Sequence, residues 1–174
     1  MRTLTNDDFL ELTQYVPMLG KLRRELRFQK SIEAIDRWDE NELVAIFTRS
    51  GNEGVMFICT SSNAVRCIPF FLTKGFKDST SGRTKPVICD FCKTWQSGQK
   101  AARISFRPNY RSQDSFAHII CADMRCSDHA RGKSPESNYS RTQIREDITP
   151  EDRILRLNKS LENLTIQFDS YHKK

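Results

Sequence analysis

The chain has 174 residues, with 28 Lys plus Arg against 22 Asp plus Glu, a formal charge of +6, and six cysteines. With 37% hydrophobic residues and 11 Phe it can bury a core, which argues against wholesale disorder, and no apolar run nears the roughly 20 residues of a membrane span. The start turns acidic at Asp7-Asp8, where a secretory signal would be apolar, so a cytoplasmic location is expected and clustered cysteines read as metal ligands before disulfides.

Residues 1–42 read as a helical segment. Thr5 or Asn6 can cap a helix bearing Phe9, Leu10, Leu12, Tyr15 and Val16, closed by Pro17. A second helix is predicted from near Leu19 to Ile35, with Leu22, Leu26 and Ile32 among its apolar positions. From Leu43 the pattern changes to strands: Leu43–Thr48, Val55–Thr60 and Ala64–Leu72 are rich in β-branched and aromatic residues. Ser50-Gly51-Asn52-Glu53-Gly54 and Ser61-Ser62-Asn63 separate them with turn chemistry, giving an antiparallel meander. Pro69 belongs at an edge or a bulge of it. Lys74–Lys85 reads as a mobile connection and Lys133–Ile148 as another polar one. Thr149-Pro150-Glu151-Asp152 then opens a closing helix over 149–168, with Ile154, Leu157, Leu161, Leu164 and Phe168 as one stripe expected to pack on the body.

Between the two polar connections lies the cysteine constellation. Cys89-Asp90-Phe91-Cys92 has the spacing of a knuckle, whose tight turn aims two sulfurs at one ion. A hairpin follows, with Ala101–Arg107 as one arm, Pro108–Asp114 as the turn and Phe116–Ile120 as the return. It delivers Cys121 and then Cys126, where a short helix can begin and run to Gly132. Knuckle, hairpin and a last ligand at a helix start is the order of a treble-clef zinc finger. Four thiolates close a tetrahedral zinc, so Cys89, Cys92, Cys121 and Cys126 are the expected ligands of one structural Zn2+. A redox Cys-x-x-Cys would want a strand-then-helix setting, which the residues after Cys92 do not supply. His118 and His129 each lie three residues from a cysteine and could substitute as ligands, but four sulfurs already complete the site. Cys59 and Cys67 sit in strand patterns and read as packing. The predicted fold class is α+β: short N-terminal helices, and over 43–174 an antiparallel sheet with a treble-clef finger at about 86–133 and a C-terminal amphipathic helix.

The charge follows the cysteines. Lys74–Arg145 holds 14 basic and 6 acidic residues, a balance of +8, and the remainder balances at −2. Lys93, Arg125 and Arg131 can offset the negative zinc–thiolate group.

Cys89-Asp90-Phe91-Cys92, the string Ile120-Cys121-Ala122-Asp123-Met124-Arg125-Cys126-Ser127, and Arg131-Gly132-Lys133 resemble the carboxy-terminal treble-clef domain of the FusB-type, elongation factor G-binding proteins. The resemblance extends over about Leu43 to Phe168. It implies a structural zinc on the same four cysteines and binding of elongation factor G through the zinc-bearing domain. The family's resistance members release that factor from ribosomes stalled by fusidic acid. They carry an N-terminal four-helix bundle, for which some 42 residues before the first strand are too few, so drug resistance is not part of the expectation.

What is expected is a bacterial cytoplasmic zinc-binding adaptor whose partner is elongation factor G or the ribosome beside it. Phe91 and Trp95 are the candidate anchors of its contact surface, with Lys93, Arg103, Arg107, Arg125, Arg131 and Lys133 supplying charge. RNA is the alternative partner, because Lys93, Trp95, Arg103, Arg107, Tyr110 and Arg111 mix cations with stacking rings. For Trp95, surface and core readings stand level. No small-molecule substrate or catalysis is expected: no P-loop, no Gly-x-Ser-x-Gly and no paired carboxylates occur, and a closed thiolate site leaves no open metal position.

Overall fold

The computed structural model describes residues 3–28, 32, 35, 37–60, 64–75, 86–108, 114–134 and 148–172. Most of the two polar connections, together with Tyr110 and Arg111, lie outside these residues.

Thr5 caps the first helix, α1 (Asn6–Gln14), in a reciprocal box. Its hydroxyl accepts from the Asp8 amide at 3.2 Å while its own amide donates to the Asp8 carboxylate at 2.9 Å. Phe9 is the buried side chain of α1's apolar set, whereas Leu10 and Tyr15 face outward. The second helix, α2 (Gly20–Glu25), stops short of the expected run to Ile35, of which residues 29–31, 33 and 34 lie outside the described residues. Leu26 leaves the helical region (ψ 134°), which lets its side chain enter the core, and the Arg27 guanidinium donates to the Arg24 and Leu26 carbonyls. Tertiary burial here outweighs a helical pattern whose propensity alone is worth tenths of a kcal/mol per residue. Arg23 reaches back and donates to the Gln14 and Val16 carbonyls at 2.8 and 3.0 Å, closing the open end of α1.

The sheet comprises β1 (Leu43–Phe47), β2 (Glu53–Cys59), β3 (Val65–Lys74), β6 (Ala101–Phe106) and β7 (Phe116–Cys121), in spatial order β1-β2-β3-β6-β7, with every pairing antiparallel. A second, two-stranded ribbon joins β4 (Val87–Ile88) to β5 (Trp95–Gln96). Pro69 sits in β3, between two neighbours, yet breaks no ladder. The Leu72 amide points to β2, so by alternation the Pro69 nitrogen faces the other way, where β6 pairs only with Phe71–Lys74. Pro69 is thus at an edge locally.

Alternation splits the side chains between two cores. On one face Val44, Ile46, Val55 and Phe57 pack with Leu4, Phe9, Leu22, Leu26, Ile32 and Trp38 of the N-terminal segment. On the other face Met56, Ile58, Ile68, Phe70, Leu72 and Ile104 meet the last helix, α4 (Pro150–His172). The stripe Leu157, Leu161, Leu164 and Phe168 is buried there as its spacing demanded, with Ile154 partly covered and Leu155 and Ile166 exposed opposite. Each such side chain is worth about 1.5–3 kcal/mol of burial. Thr149 caps α4, its hydroxyl accepting from the Asp152 amide at 3.2 Å. Covered on both sides, β2 is buried through Gly54–Ile58. The fold is α+β.

Candidate metal centre

The knuckle is built by backbone. Cys89 N donates to Thr94 O and Lys93 N to Cys89 O, both at 3.0 Å, and Lys93 takes a left-handed conformation (φ 59°) to close the turn. Asp90 then pins the knuckle to the outer edge of β7: its amide donates to Ile119 O and its carboxylate accepts from Ile119 N, both at 2.7 Å. This covers a strand edge that would otherwise be unpaired. At the end of β7 Met124 (φ 58°) makes a second tight turn, its amide donating to Cys121 O at 3.0 Å. The chain then enters the short helix α3 (Cys126–Ala130).

These turns bring Cys89, Cys92, Cys121 and Cys126 together, all buried, with the four sulfurs within 4.8 Å of one another. Cys89 Sγ lies 3.7 Å from Cys126 Sγ and Cys92 Sγ 3.5 Å from Cys121 Sγ. A zinc–sulfur bond of about 2.3 Å in a tetrahedron requires sulfurs about 3.8 Å apart, so the cage fits that ion. The charge argument agrees. The neighbouring sulfurs of Cys121, Cys126 and Cys89 hold the Cys92 thiol well below its ordinary pKa, while the same crowding and burial push Cys126 well above it. A cation at the centre is what allows four thiolates at once. The site takes one structural zinc, and as four sulfurs close the tetrahedron it is a brace rather than a reaction centre.

Polar side chains surround the sulfurs. His129, on α3, places Nδ1 3.0 Å from Cys121 Sγ and Nε2 3.3 Å from a carboxylate oxygen of Asp123. Burial alone would lower its pKa, but Asp123 and the Cys92 sulfur raise it to about 10. Thr94 Oγ1 is 2.9 Å from Cys92 Sγ and accepts from Gln96 Nε2 at 3.2 Å. Neither Asp123 nor Thr94 was legible as a participant. His129 carried a signal, standing three residues after Cys126, which on a helix brings it to the same side. His118 stands apart, ringed by Phe91, Phe106 and Phe116 and 3.6 Å from Asp90.

The expected contact residues divide. Phe91 is corrected: it is 2% exposed and belongs to the main core, because the Asp90 clamp turns the knuckle's middle residue inward against His118. Arg131 is corrected as well, its side chain only 14% exposed, whereas Lys133 stays exposed. Arg131 donates to both oxygens of Glu42 at 2.7 and 2.6 Å, and Lys133 pairs with Glu40. Ser127 joins them, its hydroxyl accepting from the Glu42 amide at 3.0 Å. The Cys-Ser and Arg-Gly-Lys strings therefore dock the zinc helix onto residues 40–42. Trp95 does reach the surface at 41% exposure, directly opposite Ile88 at 45%. Lys93 is half-buried, Arg103 and Arg107 are exposed, with Arg107 over the Phe71 ring, and Arg125 is exposed beside Asp128. Cys59 and Cys67 are both half-buried, with Cys67 packed against the N-terminal core. Among the described residues, no helix is long and apolar enough to cross a membrane.

Residues 33–167 match the family described as the FBP C-terminal treble-clef zinc-finger. No curated protein and no solved structure matches the chain.

Proposed function

Since the chain belongs to the FBP C-terminal treble-clef zinc-finger family, we propose that it is a cytoplasmic, non-catalytic adaptor whose zinc-braced ribbon binds elongation factor G, or the ribosome beside it. The observation that carries this reading is the Ile88–Trp95 pair. Two large apolar side chains stand opposite each other across β4 and β5 and remain exposed, on a ribbon that leads into the knuckle at one end and out of it at the other. Rigid, exposed aromatic anchors are what a partner pocket exploits, since they lose little conformational entropy on docking. Lys93, Arg103, Arg107 and Arg125 supply positive charge from the same block, suited to steering toward an acidic partner.

Calorimetric titration of the zinc-loaded chain with purified elongation factor G tests the reading. Saturable binding supports it, and no heat of binding at low salt removes it. Alanine at Trp95 or Ile88 should weaken binding at least tenfold. Arg107→Ala should mainly slow association. RNA is the second reading, favoured by Arg107 lying 5.9 Å from the Phe71 ring centroid, a cation–ring pair of the kind that stacks bases. It predicts binding to ribosomal RNA fragments that falls steeply as salt rises.

A further inference from the structure

Two polar relays end on sulfurs of the metal cage, and neither is required for the thiols to meet. In the first, Asp123 faces His129 at 3.3 Å and His129 faces Cys121 Sγ at 3.0 Å. His129 is 1% exposed; its Nδ1 faces the sulfur, and its Nε2, which makes no hydrogen bond among the described residues, has the Asp123 carboxylate as its charged neighbour. In the second, Gln96, itself 3% exposed, donates to Thr94 at 3.2 Å, and Thr94 lies 2.9 Å from Cys92 Sγ. The two sulfurs so addressed are adjacent, 3.5 Å apart.

A closed zinc–tetrathiolate centre carries a formal charge of −2 in a buried place, where unscreened charge is costly. Donors aimed at particular sulfurs lower that cost and fix their lone pairs, and a hydrogen-bonded thiolate is a weaker base toward competing protons and electrophiles. We propose that His129, oriented by Asp123, and Thr94, oriented by Gln96, are positioning residues for the metal site that govern how tightly Cys121 and Cys92 hold zinc. They touch the sulfurs and not the ion. His129 is the stronger of the two, because its partner is a carboxylate that polarises the ring toward the thiolate. Thr94 is a neutral relay, and its contribution is smaller.

The test uses the full chain in four variants: His129→Ala, His129→Gln, Asp123→Asn and Thr94→Val. Two quantities are read on each, zinc retention against a competing chelator and, after cobalt substitution, the energy of the thiolate-to-metal charge-transfer absorption. His129→Ala is expected to weaken zinc retention about 10- to 100-fold and to move the absorption to lower energy, as an uncompensated thiolate is a better electron donor. His129→Gln keeps an N–H donor and should recover part of both effects, which a mere cavity would not predict. Asp123→Asn should shift both readouts in the same direction by less, and Thr94→Val likewise. If His129→Ala does not fold, His129→Gln and Asp123→Asn carry the test, because the first stays polar and the second changes a surface carboxylate. Zinc retention and absorption unchanged in Asp123→Asn and Thr94→Val would overturn the proposal, as would a His129→Gln protein no better than His129→Ala.

Discussion

Arg131 and Glu42 stand 89 positions apart in sequence and meet through two hydrogen bonds of 2.7 and 2.6 Å, with side chains only 14% and 10% exposed. The pair ties the helix carrying the last cysteine to the start of β1. Because it is nearly dry and two-pronged, losing one partner strands the other charge. Arg131→Ala should cost about 3 kcal/mol in denaturant unfolding, near the low end for buried pairs. Arg131→Lys keeps the charge but not the fork, so about 1.5 kcal/mol is expected. An Arg131→Lys protein as stable as the parent would mean that the fork geometry contributes nothing.

Metal removal should unfold the finger before the rest. The knuckle and the α3 start are held by left-handed turns at Lys93 and Met124 and by the shared ion. Chelation is expected to lower the melting temperature and raise amide exchange over 87–130 first, while β2 stays protected by the cores on both its faces. Cys121→Ser should reproduce this without chelator. Uniform exchange along the whole chain would contradict it.

Phe91 and Trp95 should separate stability from binding. Phe91 is in the core, and Phe91→Ala is expected to cost about 3–5 kcal/mol, as large-to-small changes of a buried ring do. Trp95→Ala should change stability by about 0.5 kcal/mol and yet weaken partner binding at least tenfold. Thermal denaturation and titration on the same two proteins decide this. If Trp95→Ala destabilises as much as Phe91→Ala does, the ribbon is part of the core rather than a contact surface.

Gly54 tolerates no side chain. A Cβ there would lie 2.3 Å from the Ile46 carbonyl oxygen and 2.8 Å from the Phe70 ring, within the β1–β2 ladder. Gly54→Ala should therefore destabilise by about 3 kcal/mol, the upper end for overpacking. Gly20→Ala, with open space around it, should be neutral or mildly stabilising. Chemical denaturation of the two variants side by side measures the contrast.

The two cysteines outside the cage should differ in reactivity. Burial pushes the Cys67 thiol up to about 12, so at pH 8 almost none of it is thiolate, the form that reacts. Alkylation of the zinc-loaded protein at pH 8 should modify Cys59 before Cys67, as peptide mass mapping would show. Raising the pH toward 12 increases the Cys67 thiolate and should narrow the gap.

Several features were readable without coordinates because they depend on neighbours a few positions away. The spacing of Cys89 and Cys92 and of Cys121 and Cys126, the caps at Thr5 and Thr149, and the stripe from Leu157 to Phe168 are local patterns of turn geometry and helical period. The second helix was overread for the complementary reason: its apolar spacing persists past Glu25, but Leu26 gains more from the core than from another helical turn.

Spacing along the chain was enough to group Cys89, Cys92, Cys121 and Cys126, to imply a structural zinc and to give the α+β class, but it carried no sign of the short β4–β5 ribbon. What each side chain near that metal faces follows from the docking of segments far apart in the chain. Phe91 turned inward because Asp90 clamps the knuckle to β7, and Arg131 and Lys133 turned to acids at 42 and 40 because α3 docks there. Ile88 came to stand opposite Trp95, and Asp123 behind His129. Local spacing encodes dihedral angles and faces; which charge meets which, and which ring stays in water, depends on how distant segments dock.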